Sequence, residues 1–106
     1  MAKKVLGQAA PAATTLTTLY TVPLGFETVV STIAVANRSL GEVYFRVAIR
    51  PGGEAIANKH YVAYETPVAG RDSTYITVGF TLAAGDVISV YSSNDQLSFS
   101  AFGSEN

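Results

Sequence analysis

At 106 residues, with 48% hydrophobic and 14% charged residues, the chain has the composition of one folded domain and lies far from the disordered class. A formal net charge of −1 gives it no basic footprint for a phosphate backbone, so nucleic acid is not an expected partner. The absence of cysteine excludes a disulfide framework and a thiolate metal site.

The first thirteen residues, MAKKVLGQAAPAA, are Ala-rich, interrupted by Pro11 and without periodicity. They are expected to form a flexible arm, 1–13, ahead of a single domain, 14–106. In an assembly such an arm would lie on a neighbour, which makes Lys3, Lys4, Val5 and Leu6 candidate contact residues. Two lysines without a long apolar run do not read as a secretory leader. The longest apolar stretches are of strand length and alternate with Thr and Ser, so no membrane partner is expected.

Beyond the arm, apolar and polar residues alternate with a period of two, as a half-buried strand requires because successive side chains point to opposite faces. Strands are expected over 15–22, 28–37, 43–50, 60–66, 74–82, 87–92 and 97–102. Turn chemistry separates them, in Pro23-Leu-Gly25, Asn37 to Gly41, Pro51-Gly-Gly53, Val68 to Asp72, Ala84-Gly-Asp86 and Ser93-Asn-Asp95. The only helical signal is one turn at 54–58. About seven to eight strands at this spacing predict an all-β fold, a two-sheet antiparallel β-sandwich of jelly-roll type. The inward face is expected to be Val29, Ile33, Val35, Phe45, Val47, Ile49, Ile76, Val78, Phe80, Val90 and Phe99. Gly79, inside an apparent strand, marks a bulge or a close backbone approach.

Few residues carry chemistry. His60, the single histidine, is on this reading a strand residue sharing a face with Tyr64, without a nucleophile beside it. The carboxylates Glu42, Glu54, Glu65, Asp72, Asp86 and Asp95 are scattered one per turn and read as turn formers, not as metal ligands. No glycine spacing suits a phosphate cradle, and no cofactor is expected. Asn37-Arg-Ser39 matches a glycosylation acceptor but is set aside for want of a secretory leader. Tyr44, Arg46 and Arg50 fall on the strand face opposite Phe45 and form a candidate protein-contact patch of residue types common at interfaces. Thr and Ser fill outward positions such as Thr74, Thr81, Ser98 and Ser100, giving a surface that another subunit can cover without desolvating ions.

The segments Leu19 to Gly25, Ile33 to Ser39, Phe45 to Gly53, Lys59-His-Tyr61, Thr81 to Tyr91 and Ser98 to Glu105 together resemble a group of small structural proteins of tailed phages of aquatic bacteria. The element Leu82 to Val90 is also similar to a hairpin of trimeric jelly-roll heads and viral fibre domains. The resemblance implies a non-enzymatic virion protein, assembled in the host cytoplasm: a capsid cement or decoration subunit that binds the major capsid protein or another virion protein. Closed symmetry would cover its weakly charged surface, and a homotrimer is expected. The alternative is a tail, neck or capsid-fibre module that binds a host surface glycan, or another virion protein, with tyrosines as stacking platforms.

Overall fold

The computed structural model describes residues 2–77 and 79–106, so Val78 of the expected core lies outside the described residues. Its strands are β1 (Ala2–Ala9), β2 (Thr17–Thr21), β3 (Thr28–Asn37), β4 (Val43–Arg50), β5 (Tyr61–Val68), β6 (Ser73–Ile76), β7 (Phe80–Leu82), β8 (Val87–Ser92) and β9 (Leu97–Glu105). One sheet has the order β1-β9-β3-β6, with β7 also on β3, and the other runs β2-β8-β4-β5. All pairings are antiparallel and they nest: β1 with β9, β2 with β8, β3 with β6 and β7, β4 with β5. A two-stranded ribbon whose successive pairs fall alternately in one sheet and the other is a jelly roll, the architecture expected from the alternation.

Three expected strands, 28–37, 43–50 and 87–92, have the observed bounds. The expected arm does not exist as drawn. Residues Ala2–Ala9 are the edge strand β1, pairing Lys3 with Ser104, Val5 with Phe102 and Gln8 with Ser100. A bulge between Val5 and Gly7 lets Leu6 pack on the core, and Ala and Gly positions around it conceal the alternation. Gly7 has a further role, because a Cβ there would stand 2.1 Å from the Leu19 carbonyl oxygen where the edges of β1 and β2 meet. The single expected strand 74–82 is broken into β6 and β7, with Gly79 at φ +71° in the gap. No helical turn forms over 54–58; short 3-10 turns at Pro51–Gly53 and Asn58–His60 flank it, and His60 belongs to the second of these.

Between the sheets the core is closed by Val30, Ile33, Val35, Phe45, Val47, Ile88, Val90, Leu97 and Phe99, each at most 1% exposed. Phe45 and Phe99, one from each sheet, meet edge to face with centroids 6.0 Å apart. Ile49, Ile76 and Phe80 of the expected inward set are only partly buried and pack on its margin. Val29 is a correction: it is 40% exposed, and Val30 takes the inward place. A bulge on β3 between Val30 and Thr32 changes parity there, so the alternation that serves Ile33 and Val35 does not extend back to Val29.

Candidate functional site

The outer face of the four-stranded sheet is shaped by two irregularities of β5 against β4. Phe45 pairs with Thr66 and Val47 with Ala63, so Tyr64 and Glu65 together oppose Arg46; the next step, Ala48 with Tyr61, leaves Val62 extra. Glu65 sits at φ +50°, a left-handed conformation that costs a non-glycine residue about 1–2 kcal/mol. In a regular strand residues 61 and 64 would point to opposite faces. The extra residue Val62 instead sets both rings together, centroids 4.9 Å apart and planes at 78°.

Arg46 is wedged into this aromatic group. Its guanidinium carbon lies 4.1 Å from the Tyr91 ring centroid, 4.4 Å from that of Tyr64 and 5.9 Å from that of Tyr61. Nε and an Nη donate to the two carboxylate oxygens of Glu65, each at 3.2 Å. That pairing pushes the Arg46 pKa further up, so its charge is both permanent and locally balanced. Beside it an open hollow of about 460 Å³ is lined by Asn58, Tyr61 and Tyr64. Exposed ring faces, an amide and a paired carboxylate make a surface suited to binding.

The opposite face of the sandwich, the outside of the five-stranded sheet, has a different chemistry. Val5, Phe102 and Thr32 form one row across it, and Gln8, Ser100, Ala34 and Tyr75 form another. Val5 is 49%, Tyr75 63% and Phe102 37% exposed. The polar groups between them bond locally, Gln8 Nε2 to Ser100 Oγ at 3.2 Å and Ser31 Oγ to the Phe102 carbonyl at 3.1 Å. Charged side chains stand at the ends: Lys3 beside Ser104, and Arg38, whose Nε donates to Ser98 Oγ at 2.9 Å.

The seven candidate contact residues are therefore divided between two faces. Val5 belongs to the uncharged face, Lys3 to its rim, and Leu6 is half-buried against the core. Lys4 pairs with Glu105 at 2.5 Å. Tyr44, Arg46 and Arg50 are on the outside of the other sheet, each with different partners. Arg50 is a staple for the connection after β4, donating to the carbonyls of Gly53 at 3.0 Å and Glu54 at 2.7 Å and to Ser89 Oγ at 3.1 Å. Tyr44 donates to Glu42 at 2.9 Å, and that carboxylate raises the phenol pKa. Tyr61, Tyr64, Glu65 and Tyr91, the residues that surround Arg46, are the ones the strand pattern leaves out; only a bulge, which has no clear local signature in Tyr61 to Val68, unites them.

His60 is 4% exposed, and its ring nitrogens bond to Ala57 and Glu54, not to Tyr64. Its Nδ1 accepts the Ala57 N–H at 3.0 Å, which leaves the proton on Nε2 to be donated to Glu54 at 3.1 Å. His60 first, and then Lys59, hold the Glu54 carboxyl below its ordinary range. Asp86 accepts N–H bonds from Gly52 at 2.9 Å and Ala83 at 2.8 Å, the turn-forming role expected of it. Asn37 is 3% exposed, and its amide donates to the carbonyls of Gly41, Val68 and Ala69, tying two turns together. Among the described residues no three His, Cys, Asp or Glu side chains are grouped to hold a metal ion, and no helix is long and apolar enough to cross a membrane. Comparison with protein-family models, with curated proteins and with solved structures gives no match.

Proposed function

We propose that the protein is a non-enzymatic structural subunit of a phage virion, a capsid cement or decoration protein that binds the junctions between major-capsid subunits. The observation that supports this most is the outer face of the five-stranded sheet, where Val5, Phe102, Thr32, Ala34, Ser100 and Tyr75 present apolar and hydroxyl groups between charges set at its ends. Covering such a face removes apolar area from water without stripping hydration from ions, so the favourable term is not cancelled by a desolvation cost. The resemblance to small phage structural proteins points the same way. Many weakly held copies stabilise a shell by linkage, because each binds the assembled lattice and not its separated subunits.

A homotrimer is the assembly we assign, since it matches the threefold positions of a shell. Mass spectrometry of purified virions should find the chain at a copy number near that of the capsid protein, and electron microscopy should place it between capsomers. A handful of copies per particle, or density confined to the tail, would overturn the proposal. Val5→Glu with Phe102→Glu should abolish attachment to shells while leaving the fold intact; attachment retained would remove this face from the contact.

A further inference from the structure

The geometry points to a second binding site, on the sheet face opposite the one just assigned: a subsite for a neutral pyranose sugar formed by Tyr64, Tyr61 and Asn58. It does not depend on where in a virion the chain resides. The hollow of about 460 Å³ is within the roughly 300–1,000 Å³ range of small-molecule sites, yet it is open on one side. An open site favours a ligand with one apolar face to bury and hydroxyls that remain hydrated, and a pyranose ring has both.

Three features support this reading. Tyr64 is 56% exposed and makes an edge-to-face contact with Tyr61, so two ring surfaces at 78° form a corner into which a sugar ring stacks. Among the described residues neither the Asn58 amide nor the Tyr64 hydroxyl makes a hydrogen bond to another side chain or to the backbone, which leaves donors and acceptors for ring hydroxyls at the lip of the corner. The rings are also fixed in advance. Arg46 is held by both oxygens of Glu65 and lies against Tyr64 and Tyr91, so little side-chain freedom is lost when a ligand arrives.

The charge balance selects the class of sugar. Arg46 is already paired with Glu65, and the neighbouring Lys59 lies 3.8 Å from Glu54, so among the described residues no unpaired cation lines the hollow to recognise a carboxylate, sulfate or phosphate group. The bulge that sets Tyr64 opposite Arg46 has Glu65 at φ +50°, a strained conformation of the kind that collects at ligand sites.

The test is a titration of the ¹⁵N-labelled full chain with the methyl glycosides of glucose, galactose, mannose and N-acetylglucosamine, with N-acetylneuraminic acid and a proline-rich decapeptide as contrasting ligands. At least one neutral glycoside should move the amide resonances of residues 46, 58–65 and 91 and few others. Tyr64→Ala and, separately, Asn58→Ala should each weaken that binding by roughly tenfold or more while leaving the remaining spectrum in place. Both residues are exposed, so neither change threatens the fold. No response to any neutral glycoside, a response indifferent to both substitutions, or tighter binding of the acidic sugar or the peptide at the same residues would overturn the assignment.

Discussion

Tyr20 of β2 and Glu105 of β9 are joined across the two sheets, the phenol donating to the carboxylate. Lys4 of β1 closes on the same carboxylate at 2.5 Å, and the Thr28 hydroxyl of β3 is left to donate to the phenol oxygen at 2.8 Å. Four strands thus meet in one polar group at the end of the sandwich. Burial, and then Glu105, push the Tyr20 pKa up to about 12, while Lys4 and Tyr20 hold Glu105 low.

The pH dependence follows with opposite signs at the two ends. Glu105, lowered in the fold, contributes stability that is present above the unfolded carboxyl value and lost as pH falls through its folded value. Tyr20, raised in the fold, contributes stability that is whole below pH 10.0 and lost as pH rises towards about 12. Urea denaturation across pH should show both losses. Tyr20→Phe should remove the alkaline one and one late-titrating phenol from the tyrosinate absorbance; an unchanged alkaline limb would show that this group does not set it.

Phe45→Ala and Phe99→Ala should each cost about 3–5 kcal/mol, because each ring is 1% exposed and braced by the other. Phe102→Ala, on the outer face, should cost only about 0.5–1 kcal/mol. Equal losses at Phe45 and Phe102 in chemical denaturation would mean that the inner and outer faces of this sandwich are wrongly assigned.

Deleting residues 1–9 should abolish the cooperative unfolding transition, since β9 would lose one of its two partners and become an edge, and the Leu6 contact with the core would be gone. A milder probe is Gly7→Ala, which must move backbone away from the Leu19 carbonyl at a cost of about 1–3 kcal/mol. Gly41→Ala meets nothing within 4 Å and should change stability by no more than about 0.5 kcal/mol. A deletion variant that melts like the full chain would restore the reading of this segment as a dispensable arm.

Glu65 offers an inversion of the usual strand preference. Ala is ordinarily better than Gly inside a strand by about 0.5–1 kcal/mol. At φ +50° Gly is unstrained and Ala is not, so Glu65→Gly should be more stable than Glu65→Ala by roughly 1 kcal/mol although both lose the Arg46 pair. The usual order, Ala above Gly, would argue that β5 runs without this bulge in solution.

Alternation made most of the fold legible, because residues such as Phe45, Val47 and Phe99 obey a strict period of two and their turns contain the expected Gly, Pro, Asn and Asp. What alternation cannot register is a change of parity. Four bulges account for much of what was missed: the one at Leu6 lies within an unrecognised strand, the one at Ser31 exchanges Val29 for Val30, and those at Glu65 and Val62 turn Tyr64 and then Tyr61 towards Arg46. Each inserts one residue whose identity is ordinary, so composition does not announce it. Arg46 was recognisable as an outward residue; its partners depend on β5 and β8, which only the tertiary pairing brings beside it.

The pairing of β1 with β9 sets a condition on how the chain can be made. β9 lies between β1 and β3, so the five-stranded sheet has no centre until β9 is in place. Ala2 finds its partner in Glu105, about a hundred residues further along. While β3 and β4 find nearer partners in β6, β7 and β5, β1 and β2 must wait unpaired for β9 and β8, exposed to any neighbour with a free edge. Folding of this domain is limited by closing the long loop between β1 and β9, and loss of β9 alone leaves β1 with nothing to hold.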